Sequence, residues 1–87
     1  MLSNKKMMEI SLVCHATVGS MMATMMNPKF RGAEFSWDEF PEMMAGHCRT
    51  QVFMSVSMTE RQQAMVLEHA ERTGREIASN WVNKMMK

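Results

Sequence analysis

Two periodicities alternate along this chain. From Met7 to Met26 the apolar residues Met7, Ile10, Cys14, Val18, Met21 and Met25 fall three or four apart, with Met8, Leu12 and Met22 widening the face. That spacing predicts a helix over about residues 5–26. Ser3 or Asn4 can cap its start, and Asn27-Pro28 stops it, because a residue before proline is pushed out of the helical region. Its other face, Ser11, His15, Ser20 and Thr24, is polar without charge. A helix of this kind needs something to pack on.

Lys29 to Glu34 carries the Pro, Gly and charge signals of a loop. Ser36-Trp37-Asp38-Glu39 then reads as a helix start, with a capping hydroxyl followed three residues later by Glu. Pro41 and Gly46 restrict this region to short helices over about 37–49. In Gln51 to Met58 the period changes to two. Met54, Val56 and Met58 point one way and Phe53, Ser55 and Ser57 the other, which predicts a strand. Thr59 and Gln62 form the next capping box. The helix they open runs through Ala64, Met65, Val66, Leu67 and Ala70 and is expected to stop near Thr73-Gly74. After Arg75 a second helix is expected, with Ile77/Ala78, Trp81/Val82 and Met85/Met86 as its apolar stripe.

A strand, a capped helix, the segment Ala70-Glu71-Arg72-Thr73-Gly74-Arg75 and a second helix together resemble the ribbon-helix-helix family of DNA-binding repressors, the Arc, Mnt and CopG type. The resemblance covers residues 51–87 and leaves 1–50 as a helical N-terminal extension. It implies a mostly α, dimeric fold in which two copies pair their strands into a ribbon that enters the DNA major groove. By that resemblance Phe53, Ser55 and Ser57 would face the bases. The backbone at Gly74 and Arg75, the start of the second helix, would hold a phosphate. Met54, Val56, Met58, Met65, Val66, Ala70, Ile77, Trp81 and Met85 would fill a core shared by two chains, since about 37 residues are too few to bury one alone.

Composition points elsewhere. The formal net charge is +1, with ten Lys and Arg against nine Asp and Glu. Nucleic-acid affinity is dominated by phosphate neutralisation, so a near-neutral chain brings little to DNA. Fourteen of the 87 residues are Met and none is Tyr. Methionine is flexible and polarizable, and suits soft cores and adaptable docking surfaces. This supports a second expectation: a protein-interaction module of phage or plasmid type, an inhibitor or adaptor, that engages a host protein complex through Met21, Met22, Met25 and Met26. Self-association, as a homodimer or higher, is expected, and the two readings overlap if the C-terminal motif serves only to dimerise.

Candidate chemistry is sparse. Cys14-His15 and His47-Cys48 supply the donor types of a zinc site, yet adjacent residues on a helix point about 100° apart and chelate poorly. Met21, Met22, Met25 and Met26 have the soft sulfurs that copper(I) prefers, at a spacing any apolar helix face also shows. There is no phosphate-binding Gly-rich loop, nucleophile elbow or HExxH, so neither an enzyme nor a cofactor is expected. Two cysteines make no disulfide framework and favour a reducing cytoplasm. Lys5-Lys6 before an apolar stretch resembles a signal peptide, but Glu9 and His15 interrupt it, and no apolar run approaches the roughly 18 residues that span a membrane.

Overall fold

The computed structural model describes residues 1–86. It holds three helices and one short 3-10 turn: α1, Asn4–Met25; the turn Trp37–Glu39; α2, Phe40–Ser55; and α3, Glu60–Met86. There is no strand among the described residues, which overturns the mostly α fold with a ribbon and, with it, the ribbon-helix-helix resemblance. The chain forms a three-helix bundle, and the boundary expected between residues 50 and 51 falls inside α2.

The physical reason is visible in α2. Met44, Cys48, Val52 and Val56 recur every four residues, and all four are buried. This row carries the helix through the segment whose alternation suggests a strand, and burial against two other helices outweighs the modest helical preference of Val and Ser. Gly46 does not interrupt it, lying on the outer face where a Cβ would meet nothing within 4 Å.

The second correction concerns Thr73-Gly74. Rather than ending one helix and beginning another, these residues lie in the middle of the 27-residue α3. A glycine that terminates a helix adopts positive φ, and no glycine here does. Gly74 is instead a contact point. A Cβ placed on it would lie 2.6 Å from Cys48 Sγ, 2.9 Å from Cys48 Cβ and 3.0 Å from the Met44 carbonyl oxygen. Only the absence of a side chain lets α2 come so close.

The helix ends reflect local chemistry. Ser3 caps α1 by accepting a hydrogen bond from the Lys6 amide. Ser36 accepts from the Asp38 amide to open the 3-10 turn, and Pro41 sits in the first turn of α2, where a missing N–H costs nothing. At α3 both halves of the capping box form: the Gln62 amide donates to Thr59 Oγ1 and the Thr59 amide to Gln62 Oε1.

Contacts between helices fix their directions. The Lys6 ammonium reaches the Ser57 carbonyl oxygen just before α3, Cys14 Sγ donates to the Ala70 carbonyl, and Gly19 lies under the Trp81 ring. α1 and α3 therefore run parallel. Arg75 pairs with Glu42 and Arg49 with Glu71, so α2 runs antiparallel to both. The core along their common axis includes Ile10, Cys14, Val18, Phe40, Met44, Cys48, Val52, Val66 and Ala70, each fully buried. At about 1.5 Å per residue α3 spans some 40 Å, close to the 41 Å long dimension of the molecule, while the 16-residue α2 spans about 24 Å. That mismatch shapes the surface.

Candidate functional site

α2 begins at Phe40 and is already paired with α3 at Arg75 by its residue Glu42. Beyond that level α3 continues for nearly three more turns with no α2 beside it. Its apolar stripe does not stop there. Gly74, Ile77, Ala78 and Val82 are buried, but Trp81 and Met85, on the same stripe, each keep 36% of their surface exposed. Together with Met22 and Met26 from the last turns of α1 they line an open groove of about 280 Å³, with Lys84 at its rim. The Trp81 ring lies 3.4 Å from where a Gly19 Cβ would stand, so the glycine seats the indole against α1. On the other side of this end, Phe35, Trp37 and Phe40 form edge-on aromatic contacts with centroids 4.9–6.4 Å apart, and hold the 27–36 loop to the bundle.

The exposed apolar surface continues along α1. Met8 and Leu12 are 65% and 66% exposed, and Met26 is 57% exposed. Between Ile10 and Pro28 there is no Asp, Glu, Lys or Arg, so the outer face of this helix carries no charge over five turns. A single exposed Leu or Met is ordinary; here Met8, Leu12 and Met26 lie on the same helix that lines the open groove.

The residues expected at a site are dispersed over the bundle. Of the four methionines, Met22 and Met26 line the groove. Met25 is half-buried against the core, and Met21 lies on the opposite, α1–α2 seam beside His47 and Gln51. Of the residues expected on DNA, Phe53 and Ser55 occupy the exposed last turn of α2, and Ser57 lies in the connection to α3 with its carbonyl held by Lys6. Gly74 is buried in mid-helix, with no helix N-terminus there, and Arg75 forms a bidentate pair with Glu42 at 2.6 and 3.2 Å. These five do not converge on one surface.

Cys14 and Cys48 are buried as free thiols, while His15 and His47 are exposed, so the two Cys-His pairs do not gather. No cluster of three or more potential metal-ligating side chains occurs among the described residues. The Cys48 thiol is directed at the Cys14 carbonyl oxygen, and Cys14 at that of Ala70. Hydrogen bonding with Cys48 and then burial push the Cys14 thiol well above its ordinary range, keeping it protonated and unreactive. This pair belongs to the packing of the bundle. No helix among the described residues is long and apolar enough to cross a membrane.

Trp81, Met85, Met54, Met65, Met8 and Leu12 read as core or apolar face from sequence, and the structure exposes all six. Met54 and Met65 lose the two-chain core along with the ribbon that would build it. For Trp81 and Met85 the missing signal is helix length: α3 outruns α2, and a stripe without a covering helix is surface.

No family model matches the chain, and no match is found among curated proteins or solved structures.

Proposed function

We propose that this chain is a protein-interaction module that acts by docking an apolar face, built from α1 and the end of α3, onto another polypeptide. The observation that carries this reading is the groove of Met22, Met26, Trp81 and Met85, where the core stripe of α3 continues past the end of its cover. Methionine adapts its shape to a partner, and tryptophan, here one-third exposed, is among the residue types enriched at binding hot spots. Grooves between helices that present apolar anchors at helical spacing are a recurring mode of peptide and helix recognition. Base reading by Phe53, Ser55 and Ser57 has lost the ribbon it depended on, and the near-neutral charge gives it no second support. Two buried free thiols fit a chain that works in a reducing compartment such as the cytoplasm.

The test is site-specific photocrosslinking of the full chain inside cells that express it. A benzophenone amino acid at Met26, in the groove, is expected to give a light-dependent covalent adduct with a polypeptide. The same probe at Thr50, exposed on α2 away from the groove, is expected to give none. No adduct at Met26 beyond the Thr50 background would contradict the reading.

A further inference from the structure

The side of α1 next to α3 carries a second stripe, which shares Met22, 7% exposed, with the core and otherwise lies outside it. Met8, Leu12, His15, Gly19, Met22 and Met26 succeed one another in steps of four, three, four, three and four residues. Those are the steps of a helix–helix seam. The sequence of steps is the same read forwards or backwards, and its midpoint is residue 17. At one end of the stripe Met8 and Leu12 project into solvent, 65% and 66% exposed. At the other, Met22 and Met26 form the open groove with Trp81 and Met85. One face thus bears protruding apolar side chains and the concave apolar site to receive them, about 21 Å apart along the helix.

The geometry points to a second copy of this chain as the occupant of this face, with the two α1 helices packed antiparallel about a two-fold axis near residue 17. The inference rests on the docking reading above and names its partner. In this arrangement Met8 of each copy meets Met26 of the other, and Leu12 meets Met22 beside Trp81 and Met85. Nearest the axis His15 of one copy meets the Trp81 ring that covers Gly19 of the other. A two-fold contact requires such reciprocity, residue i on j and j on i.

Two further observations favour a second copy over a foreign helix. α1 has no Asp, Glu, Lys or Arg from Ile10 to Pro28, so the central part of the face pairs with itself without like-charge repulsion, and charge stands only at its ends, in Lys5, Glu9 and Lys84. Lys84 stands at the rim, where its stem can lie along the apolar wall with the ammonium in water. Area argues the same way. The groove alone is a patch of at most a few hundred Å², typical of a monomer surface. Doubling both groove and protruding pair across the axis brings the total towards the roughly 1,200 Å² at which specific interfaces begin. A dimer of that size is expected to dissociate at micromolar concentration.

The experiment is sedimentation velocity on the reduced full chain over about 1 to 300 µM, a range centred on that affinity class. The wild type is expected to pass from the 10.0 kDa monomer to a dimer of twice that mass. Met8→Glu and Met26→Lys each alter an exposed position, so circular dichroism should show unchanged helix content. Each should raise the concentration of half-association at least tenfold. Mixed in equal amounts, the two variants should recover a dimer, because in the heterodimer one end pairs Glu with Lys and the other keeps Met against Met.

A wild type that stays monomeric at the highest concentration overturns the proposal, as do variants that dimerise like wild type or a mixture that remains monomeric. A monomeric wild type with a photocrosslink from Met26 to a different protein leaves the docking reading standing and removes only the second copy. A monomer without any crosslink removes both.

Discussion

At the middle of the bundle Gly74 lets α2 approach until Cys48 and Met44 touch the backbone of α3; two turns further on, the same stripe presents Trp81 and Met85 over an open groove. Both regions are apolar, both are rich in sulfur, and both lie on one helical face. They differ in what stands opposite. In the middle, three helices overlap, and Met44, Cys14 and Cys48 lose all contact with water. At the end, α2 has not yet begun, and similar side chains remain one-third exposed. Residue type therefore does not separate core from exposed groove in this chain. The relative lengths of the helices do.

The same change made in the two regions should have unequal effects. Met44 is fully buried, and Met44→Ala should cost about 2–5 kcal/mol in urea denaturation, the range for buried large-to-small changes. Met85→Ala should cost well under half as much, because its surroundings are open. Equal losses at the two sites would mean that the α3 end is core after all.

The glycines give a second contrast, of smaller size. Gly74→Ala forces Cys48 Sγ and the Met44 carbonyl away from a Cβ, and an overpacked helix contact costs about 1–3 kcal/mol even after the gain in helix propensity. Adding Cys48→Ala removes the 2.6 Å contact and should recover part of the loss, a non-additive pair. Gly46→Ala meets nothing and should stabilise by up to about 1 kcal/mol. A neutral Gly74→Ala would contradict the close approach of α2 and α3.

The smallest effect is electrostatic. The hydrogen bond from Arg75 holds the Glu42 carboxyl below its ordinary value of 4.5. The folded-state value is the lower one, so the pair's contribution is present above the ordinary glutamate range and is lost as pH falls through the lowered value. Both groups face water, and the contribution is small. Arg75→Ala should slightly lower the denaturation midpoint near neutral pH and leave it unchanged in strong acid. A difference that persists in acid would assign Arg75 a role other than this pair.

Much of the chain is legible from sequence where the signals are local. Ser3, Ser36 and the Thr59–Gln62 box cap the elements they are expected to cap, and α1 ends at Met25 against an expected end near 26. The errors arise where two periods coexist. Val52 and Val56 satisfy both an alternating reading and a four-residue one, and only the window extended back to Met44 and Cys48 decides between them. Gly46 and Gly74 look alike as helix breakers. One is tolerated on an outer face and the other is required at a helix crossing, a distinction that depends on which residue lies opposite. The candidate site is half legible: Met22 and Met26 belong to it, but Trp81 and Met85 read as core because the stripe does not record where its cover ends.

If a second copy covers the groove, Trp81 loses its contact with water on association. The most direct measurement is the emission of Trp81 alone, in a Trp37→Phe chain, as the reduced protein is diluted from its highest attainable concentration. Covering by a second copy predicts a blue-shifted emission that moves to the red on dilution, with the same midpoint as sedimentation. An emission maximum that is independent of concentration while the mass changes would place the contact elsewhere and contradict the account.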